Sequence, residues 1–164
     1  MRLGRRDTTQ AQLSHAMRVL AARPDQWELL AADPGLVPRA VEEALRYEPI
    51  TPFTARICLS ELEHRGVVFP AGTIVAVCAE RANRDQAGGE GFDLTAKRED
   101  RVLTFGAGAH FCLGSNLARA ELEEALTFLP ARMPGLHPAG PVQLGGVEGI
   151  YGVDSLPLAW TAAE

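Results

Sequence analysis

Between Thr8 and Ala22 the apolar side chains Leu13, Ala16, Met17, Leu20 and Ala21 recur at three- and four-residue spacing, and Pro24 ends the run. That period predicts an amphipathic helix beginning almost at residue 1. Asp25 to Ala32 fits a short second helix, and Val37 to Tyr47 a third, closed by Glu48-Pro49 because a residue before proline avoids the helical region. From Thr51 to Val77, β-branched and aromatic residues broken by Gly66, Pro70 and Gly72 predict short strands, with Ala71-Gly72 as a turn. Ala82 to Val102 is polar with little periodicity, which predicts a long irregular connection. After Gly114, Leu117, Leu122, Ala125, Leu126 and Leu129 restore a helical period that stops before Pro130 and Pro134. The tail from Pro141 to Trp160, with period-two stretches such as Ser155-Leu156-Pro157-Leu158, predicts a final small hairpin. No internal repeat is visible, and the chain reads as mainly α with small β-sheets, an α+β class.

Composition narrows the setting. With 164 residues, 46% hydrophobic and 23% charged, the chain can bury one sizeable core, so one domain is expected. Sixteen basic against twenty-one acidic side chains give a net charge of −5, and the cations are scattered, which argues against nucleic acid as a partner. Cys58, Cys78 and Cys112 are odd in number and widely spaced, suiting a reducing, cytoplasmic location better than a disulfide framework. The basic start, Met1 to Arg6, runs into polar residues and is not a signal peptide. The longest apolar run, Val67 to Ala79, contains Pro70 and Gly72 and is too short to span a bilayer, so no membrane anchoring is expected.

The chemistry concentrates in Phe105-Gly106-Ala107-Gly108-Ala109-His110-Phe111-Cys112-Leu113-Gly114, a glycine-rich loop leading into a helix. A lone cysteine is more often a small buried hydrophobe than a ligand, and a glycine loop is often only a turn. Here the sulfur precedes a helix, where unpaired backbone N–H groups and the macrodipole favour negative charge. Gly108 and Gly114 allow close backbone approach to a flat group. Zinc or iron–sulfur ligation by His110 and Cys112 with Cys58 and Cys78 is the alternative, but no C-x-x-C pair is present.

Phe105, Gly108, His110, Cys112 and Gly114, followed by Leu117-Ala118-Arg119 and Glu121, resemble the haem-binding loop of a bacterial cytochrome P450. Glu43-Ala44-Leu45-Arg46 is similar to that family's E-x-x-R pair, and Tyr47-Glu48-Pro49, Arg56, Pro70-Ala71-Gly72-Thr73 and Ala82-Asn83-Arg84-Asp85 follow in the family's order. The resemblance implies the C-terminal, haem-binding part of the cytochrome P450 fold. Its parts would be the end of the oxygen-side helix (1–22), the E-x-x-R helix (37–47), a small β region (51–79), the haem-binding loop with its following helix (105–129) and a C-terminal hairpin (141–160). It implies haem b as cofactor, with Cys112 as the proximal iron ligand, Phe105 packed beside the sulfur, and His110 and Arg56 on the propionates. Glu43 and Arg46 would form a buried ion network with a third partner, for which Arg98 is the candidate. Asp7-Thr8-Thr9 resembles the acid-alcohol pair of the oxygen-side helix, with Thr8 holding oxygen and water by hydrogen bonds and Asp7 helping to deliver protons; read alone, it is equally a helix cap.

The implied activity is a monooxygenase inserting one atom of O₂ into a small organic substrate, with two electrons from a ferredoxin or flavin-type donor. That donor would dock near Lys97, Arg98, Arg101 and Arg119. Three departures stand out: Arg5 where the family has a small residue, Val102 where a propionate-binding histidine is common, and the absence of the substrate-recognition helices that family members carry upstream. They support a second expectation, a truncated, non-catalytic haem-binding or inert fragment; a third is an interaction module without haem. Among residues of this chain, only the tail around Ile150, Tyr151 and Val153 is expected to reach a substrate pocket.

Overall fold

The computed structural model describes residues 8–85, 89–98, 101–146 and 150–162. Three helices come first: α1 (Thr8–Ala21), α2 (Pro24–Ala32) and α3 (Val37–Tyr47). Pro24 stands in the first turn of α2, where its missing N–H is no loss. The Asp33 carboxylate accepts from the Gly35 N–H at 2.9 Å and turns the chain through one 3₁₀ turn into α3.

Four strands follow: β1 (Phe53–Ile57), β2 (Leu62–His64), β3 (Val67–Phe69) and β4 (Ile74–Cys78). β1 and β4 pair antiparallel, from Phe53 opposite Cys78 to Ile57 opposite Ile74. β2 and β3 form a hairpin whose two turn residues, Arg65 (φ 51°) and Gly66 (φ 78°), both adopt the left-handed conformation that matches strand twist. Because side chains alternate, Thr54 and Arg56 share one face of the β1–β4 ribbon while Phe53, Ala55, Ile57, Ile74 and Ala76 form the other. That second face is exposed, with Ile74 at 73%.

The expected irregular connection is in fact preceded by a helix, α4 (Ala79–Arg84), which takes in Ala82 to Arg84. Six residues are too few to show a period. What holds this turn is the Cys78 sulfur accepting from the Arg81 N–H and two i,i+4 pairs, Arg81–Asp85 and Glu80–Arg84. The last helix, α5 (Ser115–Phe128), is followed by a nested pair of two-stranded rungs. β6 (Gln143–Leu144) pairs with β7 (Val153–Ser155), and outside it β5 (His137–Pro138) pairs with β8 (Leu158–Ala159), so the hairpin begins earlier than Pro141.

The core lies where α1, α2, α3 and α5 meet. Leu20, Trp27, Leu30, Val41, Leu45, Leu122 and Leu126 are fully buried there, joined by Leu94 from the connection and Leu136 from beyond α5. Each such side chain contributes about 1.5–3 kcal/mol of burial energy, and the Trp27 indole N–H is satisfied by the Met133 carbonyl at 2.8 Å. Among the described residues no helix is long and apolar enough to cross a membrane.

Candidate functional site

α3 carries its chemistry on a buried face. Glu43 and Arg46 are 4% and 2% exposed, and the three-residue spacing puts them on one side of the helix. Arg46 donates through Nε to Glu43 Oε2 at 2.7 Å and through Nη2 to Oε1 at 2.8 Å. Its remaining donors reach the carbonyls of Asn83, Gly89 and Gly91, so all five guanidinium N–H groups are used. Glu43 Oε1 also accepts from the Asp93 N–H at 3.0 Å and from Arg98 at 3.3 Å. Burial pushes the Glu43 carboxyl up, but the hydrogen bonds from Arg46, Asp93 and Arg98 outweigh it and hold the group below the usual carboxylate range. The pair thus fastens α3 to a connection that has little secondary structure of its own.

The connection in turn positions the glycine loop. Asn83, 1% exposed, donates to the Arg46 carbonyl and to Thr104 Oγ1, and accepts from the Leu103 N–H at 2.8 Å. Thr104 donates to the Leu45 carbonyl at 2.6 Å. The loop that follows is shaped by left-handed Gly106 (φ 73°) and Gly108 (φ 74°), and it closes with the Cys112 N–H donating to the Phe105 carbonyl at 3.0 Å. Cys112 is exposed and stands just ahead of α5, which Gly114 precedes. Phe105 lies edge-on to Phe111 and beneath the Arg119 guanidinium at 4.6 Å.

Two cavities flank this framework. One, of about 450 Å³, is lined by Cys112, Phe105, Gly114 and His110 from the loop, Arg56 from β1, and Thr8 and Gln12 from α1. Six sequence-derived candidates are therefore brought to one space: Thr8, Arg56, Phe105, His110, Cys112 and Gly114. His110 and Arg56 are exposed at it, and Arg56 donates to the Ala55 carbonyl. Gly108 shapes the loop without lining the cavity, and Asp7, like Arg5, lies outside the described residues.

The other cavity, of about 500 Å³, holds Glu43, Arg46 and Arg98 together with Arg39, Lys97, Arg101 and Arg119. Arg119 pairs with Glu42, which raises its pKa, and Arg98 is engaged with Glu43. Val102 is half-buried against the core. Asn83, Thr104 and Gln12 were not among the candidate residues. Asn83 had a sequence signal in Ala82 to Asp85; Thr104 and Gln12 are ordinary polar residues until the chain folds.

No three His, Cys, Asp or Glu side chains converge to hold a bare metal ion among the described residues. The profile of one protein family, Cytochrome P450, matches residues 2–129. Luteothin monooxygenase of Streptomyces thioluteus is 44% identical over 161 residues, covering 96% of this chain and 40% of that protein. The crystal structure of P450BioI in complex with a hexadec-9Z-enoic acid-ligated acyl carrier protein superposes with a TM-score of 0.88 at 35% identity, over 94% of this chain and 41% of that one. CYP105P1 in complex with filipin I gives 0.87 at 37% identity, over 96% and 41%. The chain thus spans about two fifths of the length of the proteins it matches.

Proposed function

The chain belongs to the cytochrome P450 family, whose cofactor is haem b, and from that premise we propose that its residues form the cofactor-holding part of a haem-thiolate monooxygenase acting on a small organic substrate. The observation that carries this reading is the convergence of Cys112 and Thr8, far apart in the sequence, on one cavity with Arg56 and His110 at the same space. The donor set fits the group. One exposed sulfur suits an iron whose other ligands arrive with a macrocycle, and the space over Gly106, Gly108 and Gly114 is open, since a Cβ built there meets nothing within 4 Å.

Cys112 would be the protein ligand. Arg56 offers a planar donor fork for one carboxylate and His110 a ring N–H for the other. Phe105 shields the sulfur side, and the Thr8 hydroxyl, in the first turn of α1, supplies a donor and an acceptor to oxygen and water in the cavity. When bound, the haem supplies oxygen activation, which an anionic sulfur donor favours. The two electrons come from a ferredoxin or flavin-type donor, docking at the cationic cleft. There Lys97 and Arg101 are exposed, whereas Arg98 and Arg119 are already engaged by Glu43 and Glu42.

Reconstitution with haem, reduction and addition of carbon monoxide tests the reading. A strongly red-shifted Soret band that is lost in Cys112→Ala is expected; haem uptake indifferent to that substitution would refute it. A second reading is haem binding without turnover. It is distinguished by a loaded chain that gives the thiolate spectrum but neither consumes electrons nor forms product with any substrate.

A further inference from the structure

Two polar side chains are sunk in the buried face of α1. Gln12 is 3% exposed and His15 0%, among Ala11, Ala16, Met17 and Leu20. Burying an amide and an imidazole is unfavourable unless their polar atoms are matched; here both polar atoms of Gln12 and Nε2 of His15 are matched to backbone from two distant segments, while His15 Nδ1 is buried without a hydrogen-bond partner. Gln12 Nε2 donates to the Glu48 carbonyl at 2.9 Å, beyond the end of α3, where helix carbonyls lack partners. Its Oε1 accepts from the Ile50 N–H at 3.3 Å. His15 Nε2 lies 3.0 Å from the Tyr151 carbonyl, which can only accept, so Nε2 carries the proton. The Tyr151 N–H returns to the Ile50 carbonyl at 2.7 Å, which closes the circuit between α1, the end of α3 and the tail.

The remaining charges around His15 do not loosen it. Burial lowers its pKa, the Tyr151 carbonyl opposes this, Arg18 adds to it, and Glu48, 3.7 Å from Nδ1, opposes it. Glu48 is itself held by Arg18 at 2.7 Å, and the Tyr151 ring lies 4.9 Å from the imidazole.

Thr8, Gln12 and His15 stand at i, i+4 and i+7, so they share one stripe of α1. Thr8 and Gln12 line the cavity, as does Ile50. Apolar packing tolerates a small rotation of a helix; directed hydrogen bonds from the same stripe do not. We propose that Gln12 and His15 are positioning residues that fix the rotation of α1, and with it the place of the Thr8 hydroxyl in the cavity, by clasping Glu48, Ile50 and Tyr151. The assignment rests on the haem reading only for what Thr8 does there.

Amide hydrogen exchange on the full chain without haem tests the clasp directly. Gln12→Leu and His15→Phe, which keep volume and, for Phe, the ring against Tyr151, are expected to speed exchange in residues 12–16 and at Ile50 and Tyr151 by several-fold to about tenfold, the effect of losing one ordinary hydrogen bond. α5 stays protected, and His15→Gln, which restores a donor near Nε2, recovers most of the loss. Unchanged exchange in residues 12–16 and at Ile50 and Tyr151 overturns the proposal. So does an equal rise in α5, which would mean only a general loss of stability.

With haem loaded, the carbon monoxide stretching band of the reduced protein, sensitive to polar groups beside the ligand, is expected to shift in both variants and return in His15→Gln; a band fixed in all three also overturns it. Failure of the unsubstituted chain to show a thiolate spectrum would sink the haem reading instead, while the exchange result still decides the clasp.

Discussion

Arg46 and Glu43 meet through two parallel hydrogen bonds, at 2.7 and 2.8 Å, inside a site that leaves both nearly without solvent. Removing one member of such a pair leaves the other charge uncompensated, which typically costs about 3–5 kcal/mol. Arg46→Ala is therefore expected to unfold in urea with a midpoint displaced by that much stability. Arg46→Lys recovers only part of it, because one ammonium cannot reach the carboxylate and the carbonyls of Asn83, Gly89 and Gly91 together. A loss under about 1 kcal/mol, the range of an exposed pair, would contradict the burial and donor count described above.

The same carboxylate sets an acid limit. Its folded pKa is held below the value it has in the unfolded chain, so the unfolded state binds the proton more readily. Stability from this group is complete above about pH 4.3, the unfolded value, and is lost as pH falls through the lower, folded value. His15 acts in the same direction at higher pH. Its folded pKa is also lowered, so stability begins to fall below about pH 6.5. Thermal melts taken from about pH 7 down to about pH 2 are expected to fall in two stages, with His15→Phe removing the upper stage and Glu43→Gln the drop below about pH 4.3. A profile that both variants leave unaltered would count against these assignments.

How much of this was legible beforehand differs by element. The limits of α3 can be read because its apolar stripe is long and Glu48-Pro49 stops it. α4 is hidden because six residues held by Cys78 and two surface ion pairs carry no period. The outer rung of the tail is hidden because His137 and Ala159 meet only once the chain has folded back. At the site, the glycine loop is a local pattern and shows in the sequence, whereas the depth at which Gln12 and His15 lie does not. Their burial comes from Glu48, Ile50 and Tyr151, which the spacing of α1 cannot reveal.

Asn83 links the E-x-x-R helix to the segment ahead of the glycine loop, with three hydrogen bonds from a fully buried amide. Asn83→Ala leaves the Leu103 N–H and Thr104 hydroxyl to find other partners, a loss of about 1–3 kcal/mol. The loosened loop is expected to expose Cys112 further, so alkylation of that thiol in the haem-free chain should quicken relative to Cys58 and Cys78. Asn83→Asp, which retains the acceptor for Leu103, is expected to sit between the two. If Asn83→Ala labels no faster while its stability falls, the side chain supports the fold alone and does not set the loop.

The outer face of the β1–β4 ribbon is the clearest mismatch between this chain and water. Phe53, Ile57 and Ile74 are each more than half exposed, and the register gathers them with Ala55 and Ala76 on one side, while Thr54 and Arg56 turn to the cavity. A continuous apolar face on a ribbon that has only two strands among the described residues is a surface that other strands or helices cover. In dilute buffer it is expected to drive self-association that rises with protein concentration and salt. Placing charges on the most exposed pair of the face, as in Ile57→Lys with Ile74→Glu, should return the chain to a monomer by light scattering. Because those two positions are opposite each other across the strands, the new charges pair rather than repel, and the cavity on the other face should keep its haem uptake. Association that persists unchanged in the double variant would place the sticky surface elsewhere, with exposed Leu113 and Leu117 of the loop and α5 the next to alter.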